Sequence, residues 1–254
     1  MSGRLFVIGL GPGNADQVTP EATVAVRASR EFFGYKPYLD RLKLSDGQIA
    51  HASDNREEIS RAEAALKRAA EGIDVAVVSG GDPGVFAMAA AVCEAVENGP
   101  KEWRDIEITN VPGVTAMLAV AARAGAPLGH DFCAISLSDN LKPWGLVERR
   151  LDAASQAGFV IALYNPISKA RPWQLGKAFE RLRGNLPAST PVIFGRAAGR
   201  PDERIEIVPL GQARPESADM ATCIIVGSSE TRTIERTGRR PLVYTPRYAA
   251  EASR

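Results

Sequence analysis

The chain of 254 residues has little of the residue types that build metal sites and disulfides. Its two histidines, His51 and His130, are too far apart to share a helix face, so we expect no catalytic metal. The three cysteines, Cys93, Cys133 and Cys223, are odd in number and have no CxxC spacing, which argues against disulfides and against a zinc site. We interpret all three as buried small apolar side chains.

The chain also lacks an excess of one charge and a long apolar run. Lys and Arg number 31 and Asp and Glu 30, so the net charge of +1 gives no global field to attract nucleic acid or an anionic membrane. No apolar run approaches the roughly 18 residues that span a bilayer, and the N-terminus has no signal-peptide layout. We therefore expect a cytoplasmic protein without nucleic-acid or membrane partners, large enough for one or two domains.

What the chain does have is glycine directly after its apolar strands. The buried-looking strand at 75–79 runs into Gly80-Gly-Asp-Pro-Gly84, the strand from Arg4 runs into Gly9-Leu-Gly-Pro-Gly13, and the strand at 106–110 runs into Val111-Pro-Gly113. Ligands bind at the carboxyl ends of strands in open α/β sheets, where the backbone must approach them closely. Three such loops from one sheet predict a single binding cleft, although any one of them alone could be an ordinary βα turn.

The loops do not fit the common phosphate-binding motifs. In the first loop the third glycine comes one residue too early for a dinucleotide fingerprint, and Pro12 removes a backbone N–H that pyrophosphate would need. None of the loops contains the Gly-Lys-Ser/Thr of a P-loop. Glycine backbone, the carboxylate of Asp82 and the hydroxyl of Thr115 instead suit an adenosyl group with a cationic amino-acid tail, as in S-adenosylmethionine. Alternatively, Asp82 caps the following helix.

The apolar periodicity predicts an α/β protein with two domains, at 1–126 and 127–243, followed by a tail at 244–254. The first half reads as repeated βαβ units, whereas the second half has more antiparallel character. After Gly227 the apolar density drops and arginines crowd, so we interpret that segment as solvated. We predict helices at 20–28, 53–72, 85–96, 115–124, 144–156 and 173–183, and strands at 4–9, 31–34, 73–79, 106–110, 131–137, 159–164, 191–194, 204–208 and 222–226.

Three motifs follow one another along the chain: Gly9-x-Gly-Pro-Gly13, Gly80-Gly-Asp-Pro83 and Val111-Pro-Gly-Val-Thr-Ala116. In this order and at these intervals, they resemble the tetrapyrrole methyltransferases that build corrinoids and sirohaem. The resemblance covers nearly the whole chain. It implies the class III fold, two α/β domains with the cofactor cleft between them, and a homodimer. The runs at 125–132, 135–144 and 163–166 resemble the branch that methylates C17 of a tetrapyrrole and contracts the macrocycle.

The resemblance also implies residue roles. Carried over by position, the contacts to S-adenosylmethionine come from Pro12, Gly80, Gly81, Asp82, Val85, Thr115, Ala116, Asn165 and Gly195. The related uroporphyrinogen methyltransferases have an aspartate and a lysine as their acid/base pair. Residues 34–36 and 53–56 of this chain offer no counterpart to that pair, so we do not transfer those catalytic roles. As acid or base for the contraction we name residues near predicted strand ends, Tyr35, Glu57 and Asp139. As partners of substrate carboxylates we name Lys36, Arg56, Lys142, Lys169 and Arg171.

Each of these candidates has a structural alternative, and for Asp139 it is capping of the helix that begins near Pro143. Three other functions also stay open. A cobalt-dependent relative would use a cobalt-loaded tetrapyrrole. A methyltransferase of the same fold that acts on a protein, as in diphthamide synthesis, would lack the corrin-specific runs at 125–144. A small-molecule sensor would bind the cofactor without turnover.

Overall fold

The structure is a computed structural model and describes residues 2–54, 57–168 and 170–248. The chain forms two compact units, Met1–Thr115 and Ala116–Arg254. We predict the domain boundary at residue 126, whereas the units divide just before the helix at 116–124. That helix belongs to the second unit because Val120 packs against Gly195 there.

The first unit is built on a parallel sheet with strand order β3-β2-β4-β1-β5. The central strand β4 is buried along its whole length, as its unbroken apolar sequence predicts. The strands are β1 (Arg4–Gly9), β2 (Glu31–Tyr35), β3 (Ile49–Ser53), β4 (Val75–Ser79) and β5 (Glu107–Val111). The helices are α1 (Pro20–Ala28), α2 (Lys36–Leu39), α3 (Glu58–Ala70) and α4 (Met88–Asn98).

Local sequence explains where α1 begins, whereas the helices predicted at 53–72 and 85–96 begin later, at Glu58 and Met88, because Ser53 ends β3 and neither helix has a side-chain cap. The Thr19 hydroxyl accepts a hydrogen bond from the Ala22 N–H at 3.1 Å and Pro20 follows, so α1 starts where the cap predicts. On α3 we expect Ile59 to join the apolar face, but its side chain is 41% exposed. The buried stripe contains Arg61 instead, next to Ala62. None of the described helices is long and apolar enough to cross a membrane.

The second unit has a mixed sheet of order β10-β9-β11-β8-β7, in which only the β7–β8 pair is parallel. The predicted antiparallel character is thus confirmed. Phe179 and Phe194 meet edge to face in its core, with ring centroids 6.0 Å apart. The helices are α5 (Ala116–Ala124), α6 (Trp144–Gln156) and α7 (Gln174–Asn185). The strands are β6 (Gly125–Ala126), β7 (Phe132–Ser136), β8 (Val160–Tyr164), β9 (Pro191–Arg196), β10 (Arg204–Pro209), β11 (Thr222–Val226), β12 (Arg232–Ile234) and β13 (Leu242–Tyr244).

The prediction of a solvated segment after Gly227 is confirmed for residues 232–235 and 237–240, which are exposed, and wrong around Val243 and Thr245. The strands β12 and β13 pair with each other, and β13 also pairs in parallel with β6. Val243 is fully buried, and the Thr245 hydroxyl donates to the Pro127 carbonyl at 2.6 Å. These strands have three residues each and little apolar alternation, so no pattern indicates them.

The prediction that all three cysteines are buried is also wrong. Cys223 is buried in β11, and burial raises the pKa of its thiol to about 12. Cys133 is half-buried, whereas Cys93 is exposed because α4 turns the face of Ala91 and Ala95 toward the core. The alanine-rich sequence of α4 does not distinguish its two faces clearly.

Candidate functional site

The three glycine loops of the first unit meet at one edge of its sheet. Gly81 donates its N–H to the Gly11 carbonyl at 2.9 Å, and Gly11 donates to the Gly81 carbonyl at 3.1 Å. A Cβ on Gly113 would lie 2.2 Å from the Gly81 carbonyl oxygen, so only glycine fits there. The predicted convergence of the three loops is confirmed, and ligand binding at this edge stays a prediction.

Asp82 ties two of these loops together. Its Oδ1 accepts from the Gly84 N–H at 2.8 Å, and its Oδ2 accepts from the Gly113 N–H at 3.0 Å. The alternative that Asp82 caps α4 is wrong, because the N-cap of that helix is Ala87 and has no side-chain hydrogen bond. An ionised carboxylate has about four acceptor sites, so Asp82 can hold the loops and still accept from a ligand.

The ring of Tyr38 lies against the glycine loop that follows β4. A Cβ on Gly80 would lie 2.6 Å from the Tyr38 ring, so the ring rests on the loop backbone. Tyr38 in turn meets Tyr35 edge to face, with ring centroids 5.6 Å apart. Tyr35 ends β2 and is half-buried. The structure therefore places this candidate acid or base, through Tyr38, next to the glycine loops.

The guanidinium of Arg41 holds the first glycine loop. It donates to the carbonyl of Gly11 at 3.0 Å and also to the carbonyl of Leu10. Sequence reasoning missed Arg41, because a single arginine after a short helix has no spacing that distinguishes it from the other surface cations. Its contacts show that this loop is held by side chains as well as by the sheet.

The other first-unit candidates are more exposed. Glu57 is the exposed N-cap residue of α3, and its carboxylate accepts from the Asp54 N–H at 3.1 Å, which closes a turn. Lys36 forms a surface ion pair with Asp40 at 2.7 Å, one helical turn away. Arg56 and, in the second half of the chain, Lys169 lie outside the described residues.

The first-unit residues among those implied for cofactor contact lie in or directly after these loops. Pro12 and Val85 are half-buried, and Thr115 is 5% exposed. Ala116 is half-buried and begins α5 in the second unit. Phe86, next to Val85, has φ of 52° and is 50% exposed, and strained backbone of this kind is concentrated at ligand sites. Carboxylate, buried hydroxyl and closely approaching backbone fit the nucleoside and amino-acid groups of S-adenosylmethionine.

In the second unit, the strands β7, β8 and β9 run in the same direction, so their carboxyl ends share one edge. Asn165 follows β8 with φ of 51° and donates from Nδ2 to the Ser136 hydroxyl at 2.9 Å. Gly195 is buried within β9, and a Cβ there would lie 2.1 Å from Cγ2 of Val120. The glycine at 195 thus has a packing reason besides its implied contact with the cofactor.

Three charged candidates come together after β7. Arg171 donates from Nη1 to Oδ1 of Asp139 at 2.9 Å and also to the side-chain oxygen of Asn140. Lys142 donates from Nζ to the Ser138 carbonyl at 2.9 Å, and burial, aided by Arg150, lowers its pKa against the opposing charge of Asp139. The cluster was not evident from sequence, because Arg171 lies far along the chain.

Asp139 does not cap α6, so that alternative is wrong. The N-cap of α6 is Pro143, which has no side-chain hydrogen bond. The acceptor bond from Arg171 fixes the Asp139 carboxylate at the strand end where ligands are expected. Across residues 2–54, 57–168 and 170–248, no three His, Cys, Asp or Glu side chains group as a metal site.

Comparison with known proteins shows which class of protein has this fold. A uroporphyrin-III C-methyltransferase structure from Thermus thermophilus, complexed with S-adenosyl homocysteine, has a TM-score of 0.67 at 22% identity and covers 89% of this chain and 98% of that one. The family of tetrapyrrole (corrin/porphyrin) methylases matches residues 4–214. The chain belongs to this family, and the predicted fold of two α/β domains is confirmed.

Two relatives are much closer. The precorrin-3B C(17)-methyltransferase of a Sinorhizobium species is 70% identical over 253 residues, which cover 100% of both chains. The crystal structure of the methyltransferase CobJ has a TM-score of 0.92 at 51% identity, covering 96% of this chain and 100% of that one. These similarities agree with the branch that the runs at 125–132, 135–144 and 163–166 indicate.

Proposed function

We propose that the protein transfers a methyl group from S-adenosylmethionine to C17 of precorrin-3B, with ring contraction to precorrin-4, in cobalamin biosynthesis. The observation that carries this proposal is the 70% identity, over 100% of both chains, to a relative that bears the name of this activity. The fold adds support through the TM-score of 0.92 to CobJ.

Family membership and the chemistry of the site support S-adenosylmethionine as the methyl donor. S-adenosylmethionine supplies a methyl group that is already activated on a sulfonium. Asp82 would accept from its hydroxyl or ammonium groups, and the glycine loops would bring backbone within reach of it. Thr115, Val85 and Pro12 complete the first-unit set. From the second unit, Ala116, Asn165 and Gly195 keep the roles that the resemblance implies.

The protein contributes chiefly alignment to the methyl transfer. Holding an activated methyl group and a carbon nucleophile at near-attack distance can lower the barrier to transfer by about 7–11 kcal/mol. Few catalytic side chains are then needed for that step. The glycine loops suit this role because hydrogen bonds to Asp82 and Arg41 hold their backbone in place.

Ring contraction needs proton movement at the substrate, and we favour Asp139 among the three candidates. It is partly buried, and its bond from Arg171 would hold the ionised carboxylate in a fixed orientation for taking a proton. Arg171 and Lys142 beside it would bind substrate carboxylates. Tyr35 and Glu57 remain the second candidates. Tyr35 packs against Tyr38, and the Glu57 carboxylate is already used to close a turn.

We propose a cytoplasmic homodimer, which light scattering of the purified protein would test, with a single-chain mass at micromolar concentration contradicting it. Nucleic acid and membrane are not proposed as partners, since the net charge of +1 offers no general attraction to either.

The proposed reaction is tested with purified protein, S-adenosylmethionine and metal-free precorrin-3B. We expect one S-adenosylhomocysteine per tetrapyrrole and a product that has gained one methyl group, identified by mass spectrometry as ring-contracted. A methyl group found on protein instead would favour the protein-methylating alternative. Cofactor binding without any turnover would favour a sensor.

A further inference from the structure

A buried guanidinium lies on the inward face of α3. Arg61 is 5% exposed and shares the buried stripe with Ala62, Ala65 and Leu66. A charged side chain is almost never buried to this extent unless it is paired, because the loss of hydration is costly. Burial accordingly lowers the pKa of Arg61, while the charges of Glu58, Glu57 and Asp54 act in the opposite direction.

The acceptors of Arg61 are neutral throughout the part of the chain that the structure describes. Nε donates to the Ser53 hydroxyl at 2.7 Å, Nη2 to the Asp54 carbonyl at 2.6 Å, and Nη1 to the Met88 sulfur at 3.3 Å. In the described ranges no carboxylate forms an ion pair with it. A guanidinium has five N–H groups, so one on each terminal nitrogen has no acceptor in the described structure.

The guanidinium of Arg61 lies at the edge of the sheet where ligands are expected to bind. Ser53 ends β3, and the Met88 N–H lies 3.4 Å from the hydroxyl of Ser79, which ends β4. Arg61 therefore lies at the carboxyl edge of the parallel sheet, beside the strand that leads into Gly80 and Gly81. Ligands of open α/β sheets bind at this edge.

We propose that Arg61 binds a carboxylate of a ligand held at this edge. The inference rests on the proposed function, because both ligands of that reaction carry carboxylates: the acid side chains of the tetrapyrrole and the amino-acid end of S-adenosylmethionine. A carboxylate accepts two parallel hydrogen bonds from the terminal nitrogens of a guanidinium and neutralises its charge. Without a bound carboxylate, Arg61 would only link the end of β3 to the start of α4.

The same helix provides a matched control. Arg68 lies two turns further along α3 and already has carboxylate partners, since it forms ion pairs with Glu31 and Glu71. Replacing either arginine by methionine removes one guanidinium from the same helix. Only the loss at Arg61 should affect the binding of a carboxylate ligand.

The test measures binding to the full chain without turnover. Calorimetry compares S-adenosylhomocysteine with 5′-methylthioadenosine, which lacks the amino-acid end, and fluorescence compares uroporphyrin III with coproporphyrin III, which has fewer carboxylates. We expect Arg61→Met to weaken one carboxylate ligand at least about tenfold while 5′-methylthioadenosine binds as before. A loss for S-adenosylhomocysteine identifies the cofactor carboxylate, and a loss for uroporphyrin III that is smaller for coproporphyrin III identifies the substrate.

Control variants keep the test decisive. Arg68→Met should lower the melting temperature and leave all four affinities unchanged. If Arg61→Met does not fold, Arg61→Lys keeps the charge but not the paired geometry, and it should weaken the same ligand to a smaller extent. Unchanged affinities in a folded Arg61 variant overturn the proposal. Wild-type protein that binds these ligands but does not methylate precorrin-3B would remove the proposed function alone.

Discussion

At the scale of single residues, Asp139 is the side chain on which the proposed contraction depends most. Asp139→Asn keeps the size of the side chain and removes its titratable oxygen. We expect near-normal affinity for S-adenosylhomocysteine but a loss of contracted product of about 10²- to 10⁴-fold, as for removal of a general base. Single-turnover mass spectrometry checks this result and would show whether a methylated, uncontracted tetrapyrrole accumulates.

The second unit offers a matched aspartate for this experiment. Asp152 pairs with Arg181 at 2.9 Å, and its side chain is 25% exposed, against 27% for Asp139. Asp152→Asn therefore removes a comparable ion pair away from the proposed site and should leave the product distribution unchanged. Equal product per folded molecule in wild type and Asp139→Asn would assign Asp139 a structural role only.

The place of a single functional side chain could be predicted from the sequence only where that side chain belongs to a motif. Asp82 follows a glycine pair after an apolar strand, so its place at the sheet edge was predictable. The pairing of Asp139 with Arg171 was not, because it depends on how distant loops fold together. Arg61 gave a signal that is recognisable in retrospect, a charged residue within the alanine stripe of α3.

At the scale of elements, the packing of α5 on β9 depends on the absence of a side chain at position 195. Gly195→Ala would place its Cβ 2.1 Å from Val120 Cγ2, so we expect the free energy of unfolding to fall by about 1–3 kcal/mol. Urea denaturation measures it. Gly184→Ala in α7 has open space around its Cβ and should be neutral or slightly stabilising. Equal effects of the two variants would contradict the packing argument.

A second element-scale prediction concerns the acid stability of the first unit. Glu31 at the start of β2 is buried and accepts from Arg68 and His51, and these bonds, chiefly those from Arg68, hold its pKa below the ordinary value of 4.5. A lowered carboxyl pKa stabilises the fold above that value, and the stabilisation is lost as the pH falls through the folded pKa. Glu31→Gln should therefore melt earlier than wild type at pH 7, and the difference should shrink in acid.

Thermal melts from pH 7 downward check this expectation. Glu180→Gln removes a carboxylate whose pair with Lys177 is 63% and 55% exposed, and it should have almost no effect. A difference between wild type and Glu31→Gln that stays constant below pH 4.5 would show that packing, and not charge, stabilises Glu31.

Elements with a strong pattern were predicted well, and short exposed ones were not. Helix α6 begins and ends where its periodicity predicts, and β4 follows from its unbroken apolar run. By contrast, β3 is an edge strand whose residues are mostly exposed, and β12 and β13 have three residues each. Their existence depends on pairing with distant segments, which local sequence does not encode.

At the scale of the whole molecule, the open question is whether the tetrapyrrole carries cobalt. The relative that is 70% identical over the whole chain is named for precorrin-3B and not for a cobalt-loaded tetrapyrrole, so we expect the metal-free substrate to be preferred. Specificity is a ratio of kcat/KM values, and a preference of about tenfold corresponds to 1.4 kcal/mol of transition-state binding. With limiting S-adenosylmethionine and equal amounts of both substrates, the masses of the products give this ratio directly. Predominant methylation of the cobalt-loaded substrate would place the protein with the cobalt-dependent relatives while leaving the proposed methyl transfer in place.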